Sequence, residues 1–125
     1  MEVAIPVTTA FVSLSAIVVF ALTGWIGVRR GATDILRGHG GDEVLQKRVR
    51  IHGNFVENAP ITALVVGAAE VMGMSKDWLW IAVFSFLAGR ILHYLLYDRK
   101  IRAAGMLLTQ APALLIGLWL LLRLV

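Results

Sequence analysis

The sequence predicts an all-α integral membrane protein folded as an antiparallel four-helix bundle, and three observations carry that prediction. Of its 125 residues, 58% are hydrophobic, above the roughly 45–50% typical of soluble domains. Val7 to Val28 contains no charge, and about 20 such residues suffice to cross a hydrocarbon core. Ten of the twelve lysines and arginines fall between Arg29 and Arg50 or between Arg90 and Arg102, so the basic charge is confined to two connections.

The elements follow in order, within one domain over residues 1–125. Helix one is expected over about residues 6–28. It should stay attached rather than be removed as a signal, because Glu2 replaces a basic leader, the apolar core is long and Arg29-Arg30 follows it. Gly38-His39-Gly40-Gly41 keeps the first connection irregular. Asp42-Glu43 then opens helix two, since acidic residues favour a helix N-terminus. Over about residues 43–74 that helix is roughly 45 Å long against a hydrocarbon core of about 30 Å, so its first turns stand in the headgroup layer or beyond. After the short turn Gly73 to Asp77, helix three is expected over about residues 78–97. Asp98-Arg99-Lys100 leads into helix four over about residues 102–124. Pro60 and Pro112 lie inside helices two and four, where a kink is expected. Only Lys76 and Arg123 lie away from the two basic connections, so the positive-inside rule places those connections in the cytoplasm and both termini on the other side.

Composition also excludes. With no cysteine there is neither a disulfide framework nor a cysteine nucleophile, so any thiol chemistry must use a thiol from the substrate. The net charge of +4 follows from topology and calls for no nucleic acid. His39 and His52 stand at unrelated positions with no His-x-x-His or Glu-x-x-His spacing, so no metal site is expected. The four tryptophans, Trp25, Trp78, Trp80 and Trp119, fall near span ends, as an interfacial belt requires.

Two polar stripes interrupt the apolar helices. On helix two, Lys47, Arg50, Asn54 and Glu57 share an arc of about 80°, and on helix three Arg90, His93 and Tyr97 share about 60°. Helix four adds Arg102 at its start and Gln110 two turns deeper. A charge at bilayer depth costs roughly 2.5–3.5 kcal/mol unless paired or wet, so the stripes must face each other, a neighbouring subunit or a water-filled cavity. Arg90 is the expected partner of Glu57. Lys47, Arg50, Arg102 and one of Arg29 or Arg30 are then left with too few carboxylates, a set suited to an anionic ligand. Glu70, near the far end of helix two, reads either as a proton-coupling carboxylate or as a hydrogen-bonded structural one.

Arg50-x-His52-x-Asn54-x-x-Glu57, then Gly89-Arg90-x-x-His93-x-x-x-Tyr97, then Arg102 with Gln110 inside the last helix, closely resembles the membrane-associated proteins in eicosanoid and glutathione metabolism. The resemblance covers essentially the whole chain, and the small size and short loops are similar to bacterial members of that family. It implies a homotrimer, expected in a bacterial inner membrane, that binds glutathione between subunits and receives a lipophilic second substrate from the lipid. Arg29, Arg30, Arg50, Asn54, Glu57, Arg90, His93 and Tyr97 are the residues it implies around glutathione. Arg102 matches the arginine that favours the thiolate, and Arg99 and Lys100 are alternatives because the link from Tyr97 is short. The implied activity is a detoxifying glutathione transferase, with glutathione-dependent peroxidase activity as a companion.

Two departures separate the chain from the prostaglandin-synthase branch: Ala103 stands where that branch has a serine, and Gly53 where it has a basic residue. The rival readings are a non-enzymatic lipid-binding or scaffold member of the same fold and a small proton-coupled multidrug transporter. The first would tolerate loss of the activating arginine. The second would keep its carboxylate free of compensating cations, whereas Glu57 lies among them.

Overall fold

The computed structural model describes residues 3–125, so Glu2 lies outside the described residues. The described residues form four helices: α1 (Pro6–Thr33), α2 (Glu43–Val71), α3 (Lys76–Leu95) and α4 (Arg102–Leu122). Helices α1, α3 and α4 are long and apolar enough to cross a membrane. Helix α2, also read as a span from the sequence, is the more polar one. Its 29 residues extend about 43 Å, and its first two turns carry Glu43, Lys47, Arg48 and Arg50.

The boundaries have local causes. Helix α1 starts with proline at its first position, where no amide is needed, and continues to Thr33, past the expected end. It stops at Asp34, whose left-handed φ of 54° turns the chain into the glycine-rich connection. Asp42 caps α2 by accepting a hydrogen bond from the Leu45 amide. Both α2 and α4 run on through Pro60 and Pro112 as single helices.

Helix α1 packs along α2, α3 packs along α4, and α2 joins the pairs through α4. Around the bundle the order is therefore α1, α2, α4, α3. Helix α1 makes no contact with α4 and touches α3 only sparsely, which leaves a lateral groove between α1 and α3. The core is aromatic at its centre, where Phe86 of α3 meets Phe11 of α1 at 5.1 Å and Phe55 of α2 at 5.7 Å between ring centroids. Val66, Leu79, Val83 and Ile116 fill the space around them. Large apolar side chains such as Phe20, Leu64, Phe84 and Leu107 face outward, the arrangement lipid allows and water penalises.

Glu70 ties two helices together at the end opposite the basic connections. Its carboxylate accepts hydrogen bonds from the Val7 and Thr8 amides at 2.9 and 2.8 Å and from the Thr8 hydroxyl at 2.6 Å. The first turn of α1 has no side-chain cap of its own, so Glu70 supplies one from α2. Of the two roles open to Glu70, this geometry fits the hydrogen-bonded structural one.

Candidate functional site

At the basic end the arginines nearest α1 are engaged within the chain. Arg29 grips Asp42 through two hydrogen bonds, Nη2 to Oδ2 at 2.6 Å and Nε to Oδ1 at 3.2 Å. That guanidinium and the Leu45 amide hold the Asp42 carboxyl below the usual carboxylate range. Arg30 donates to the Ile35 carbonyl at 2.9 Å. Arg48 donates to the Trp25 carbonyl and lies 4.6 Å from the Trp25 ring. The expectation that Arg29 lacks a carboxylate is thus corrected. Asp42, read from the sequence only as a helix start, neutralises it.

The helix-two stripe divides. Lys47 reaches Asp98 in the α3–α4 connection at 2.6 Å and passes 5.2 Å from the Tyr97 ring, so the expectation that Lys47 lacks a carboxylate is corrected. Arg50 and Glu57 point outward and are exposed. Neither has an ion pair among the described residues. Between them a ladder of amides follows the α2 backbone: Asn54 donates to the Arg50 carbonyl at 3.0 Å and Asn58 to the Asn54 carbonyl at 2.7 Å. Gln110 of α4 approaches Asn58 at 3.4 Å across the α2–α4 seam. Asn58 continues the stripe by four residues. Its i+4 spacing from Asn54 was visible in the sequence.

Helix α3 presents its polar residues differently because it lies almost in contact with α4. A side chain at Gly89 would place its first carbon 2.5 Å from the Thr109 hydroxyl, and one at Gly105 would fall 2.8 Å from the His93 amide. At this crossing Arg90 is drawn along α4, donating through Nε to the Thr109 hydroxyl at 2.8 Å and through Nη2 to the Met106 sulfur at 3.1 Å. The expected Glu57–Arg90 bridge therefore does not form. Glu57 leaves α2 on its outer side while Arg90 lies against α4. Thr109 was the residue no sequence signal singled out, since a lone threonine in an apolar helix most often bonds only its own backbone, as Thr109 also does to Gly105.

The remaining residues converge. His93 is buried and meets the Tyr97 ring edge-on at 5.8 Å. Arg102 stands 5.6 Å from the centroid of the same ring, with Nη1 donating to the Tyr97 carbonyl at 3.3 Å. Tyr97 thus has two cations near its ring, Lys47 and Arg102. Arg102 is exposed and has no ion pair among the described residues. His52, off the stripe, contacts the Thr23 hydroxyl at 3.2 Å. Among the described residues, no group of three histidine, cysteine or carboxylate side chains is placed to hold a metal ion.

An apolar groove of about 560 Å3 runs to this cluster along the gap between α1 and α3, floored by Ile51 and Phe55 and bounded at the polar end by Arg90 and His93. The arrangement offers an anion the exposed guanidiniums of Arg50 and Arg102, an ammonium group the Glu57 carboxylate, and an apolar molecule a lateral approach from lipid.

Residues 8–122 match the model of the MAPEG family. The chain is 30% identical over 115 residues to the inner membrane protein YecN of Escherichia coli strain K12, an alignment covering 90% of this chain and 88% of that one. The inner membrane protein YecN of an Escherichia coli O6:H1 strain aligns with the same identity and coverage.

Proposed function

The chain belongs to the MAPEG family and is an integral membrane protein similar to a bacterial inner membrane protein; from that premise we propose that it is a glutathione transferase, with glutathione-dependent peroxidase activity as a second outcome of the same site. One observation carries the reading. Arg50, Arg102 and Glu57, two cations and one carboxylate, stand exposed and without ion pairs at the basic end of the helices. Glutathione bears two carboxylates and one ammonium group, which two guanidiniums and one carboxylate can meet with the right signs.

Each residue then has a task. Arg50 meets a carboxylate, Glu57 meets the ammonium group, and the Asn54 side chain adds hydrogen bonding along the same face. Arg90 and His93 form the polar boundary of the apolar groove, where a lipophilic second substrate approaches the sulfur. Bound glutathione supplies the nucleophile that a chain without cysteine lacks. Arg102 favours the charged form of that sulfur, as a nearby cation lowers a thiol pKa. Tyr97, which accepts Arg102 at its carbonyl, fixes where that guanidinium stands.

Exposed charges within reach of lipid call for a cover. Arg50, Glu57, Leu64 and Val71 are all exposed on α2 and recur every seven residues, the spacing of a seam between copies of one helix. A homotrimer with α2 toward its centre would bury that seam and close the site with a neighbour's residues.

The test is a glutathione titration of the detergent-solubilised protein, following the ultraviolet absorbance of the thiolate. Wild type should show a saturable thiolate signal that Arg102→Ala removes while glutathione still binds. Conjugation of a model electrophile should fall in parallel, by at least tenfold. Binding with no thiolate in wild type would sink the transferase reading in favour of a non-enzymatic binder. Absence of binding would sink the glutathione site itself.

A further inference from the structure

A second groove of about 560 Å3 lies at the other end of the bundle, between α3 and α4. Its form follows from the crossing already described. Gly89 and Gly105 let the two backbones touch, whereas farther along Trp78 and Trp119 flank the gap and the helices stand apart. The result is a slot whose lining runs from Ser85 and Ala111 to Arg123. From Ala111 to Arg123 the helical rise is about 18 Å, close to half of a hydrocarbon core of about 30 Å. The slot is therefore about one leaflet deep.

Its chemistry is graded along that depth. The shaft is lined by Ile81, Ala82, Leu115 and Ile116, which are all apolar, while the Ser85 hydroxyl is already occupied with the Leu108 carbonyl at 2.8 Å. The two tryptophans mark the interfacial level. Arg123, immediately after α4, holds its guanidinium 4.8 Å from the Trp119 ring and has no ion pair among the described residues. Glu70, the carboxylate at this end of α2, is committed to the start of α1.

We propose that this slot is a binding site for an anionic phospholipid of the leaflet at that end, with one acyl chain in the α3–α4 shaft and the phosphate at Arg123. The tryptophans exclude water around the headgroup junction, and Arg123, the cation that lines the slot, supplies the preference for net negative lipid. The site is separate from the basic end and does not depend on the glutathione reading.

The experiment uses the full chain with Trp25→Phe and Trp80→Phe, so that Trp78 and Trp119 report on the slot, reconstituted in phosphatidylcholine bilayers. Phosphatidylglycerol with brominated acyl chains should quench these tryptophans at a lipid fraction on the order of fivefold lower than equally brominated phosphatidylcholine, the discrimination one interfacial cation provides. Arg123→Gln should bring the two lipids to equality. Ala111→Phe, which fills the shaft from an exposed position, should reduce quenching by both. Equal quenching by the two lipids in the parent protein, or an unchanged preference after Arg123→Gln, overturns the proposal. Lack of quenching by either lipid would mean that another copy of the chain covers the slot, and overturns it as well.

Discussion

Asp42 shows how much one side chain can organise at the basic end. It caps α2 through the Leu45 amide and clasps Arg29 at the end of α1, so one carboxylate closes the first connection from both sides. Because its pKa is depressed in the folded protein, its contribution is present above the unfolded carboxyl value near 4 and is lost as pH falls through the lower folded value. Thermal unfolding of the solubilised protein should therefore show a midpoint that declines on acidification, and Asp42→Asn should lower the midpoint at neutral pH while flattening that decline. An unchanged acid profile in Asp42→Asn would assign the clasp no role. Glu57 gives the opposite lesson. Its charge was evident from the sequence, but its partner was misassigned, because a helical wheel gives the arc of a residue and not which neighbour occupies that arc.

The α3–α4 pair depends on two glycines at one crossing. Gly89→Ala would drive a methyl into the Thr109 hydroxyl, and Gly105→Ala would drive one into the His93 backbone. The added methyls would also fall 2.6 Å from the Thr109 amide and 2.9 Å from the Gly89 carbonyl, backbone atoms that cannot swing aside, so the helices must separate, at a cost of about 1–3 kcal/mol or more. Either substitution should lower the unfolding midpoint by several degrees and also loosen Arg90 from Thr109. The effect should therefore appear in thermal stability and, at the proposed glutathione site, in glutathione affinity. A variant with wild-type stability would show that the crossing is looser than these distances imply. The helix boundaries themselves were largely legible: acidic Asp42-Glu43, the glycine cluster and the basic runs each mark an end. The sequence reading ended α1 near Val28, five residues early, because Arg29 and Arg30 look like loop residues until Asp42 and the Ile35 carbonyl are seen to accept them.

For the molecule as a whole, the proposed trimer rests on the outer face of α2. A heptad-spaced row of Arg50, Glu57, Leu64 and Val71 facing lipid would expose two charges to hydrocarbon, whereas a shared axis would bury the apolar half of the row and surround the polar half with ligand or water. Leu64→Arg adds a charge to the apolar half, and one there costs roughly 2.5–3.5 kcal/mol in each copy. Native mass spectrometry should then show wild-type trimers and monomeric Leu64→Arg with unchanged helix content. Trimers that survive the substitution would place the seam elsewhere.

By itself the sequence determined the class, the number of helices, the two basic connections and the residue types of the candidate site. Hydrophobic length, glycine punctuation and charge clustering are properties of the chain that any fold must respect. Only the tertiary structure decided where the charges are held: Arg29 is paired with Asp42 and Lys47 with Asp98, while Arg90 donates to a threonine and a methionine and has no ion pair with Glu57. Pairing depends on which helices touch and how closely, and here the glycine crossing of α3 on α4 and the absence of contact between α1 and α4 set those distances. The charges left over, and both lateral grooves, are consequences of that packing.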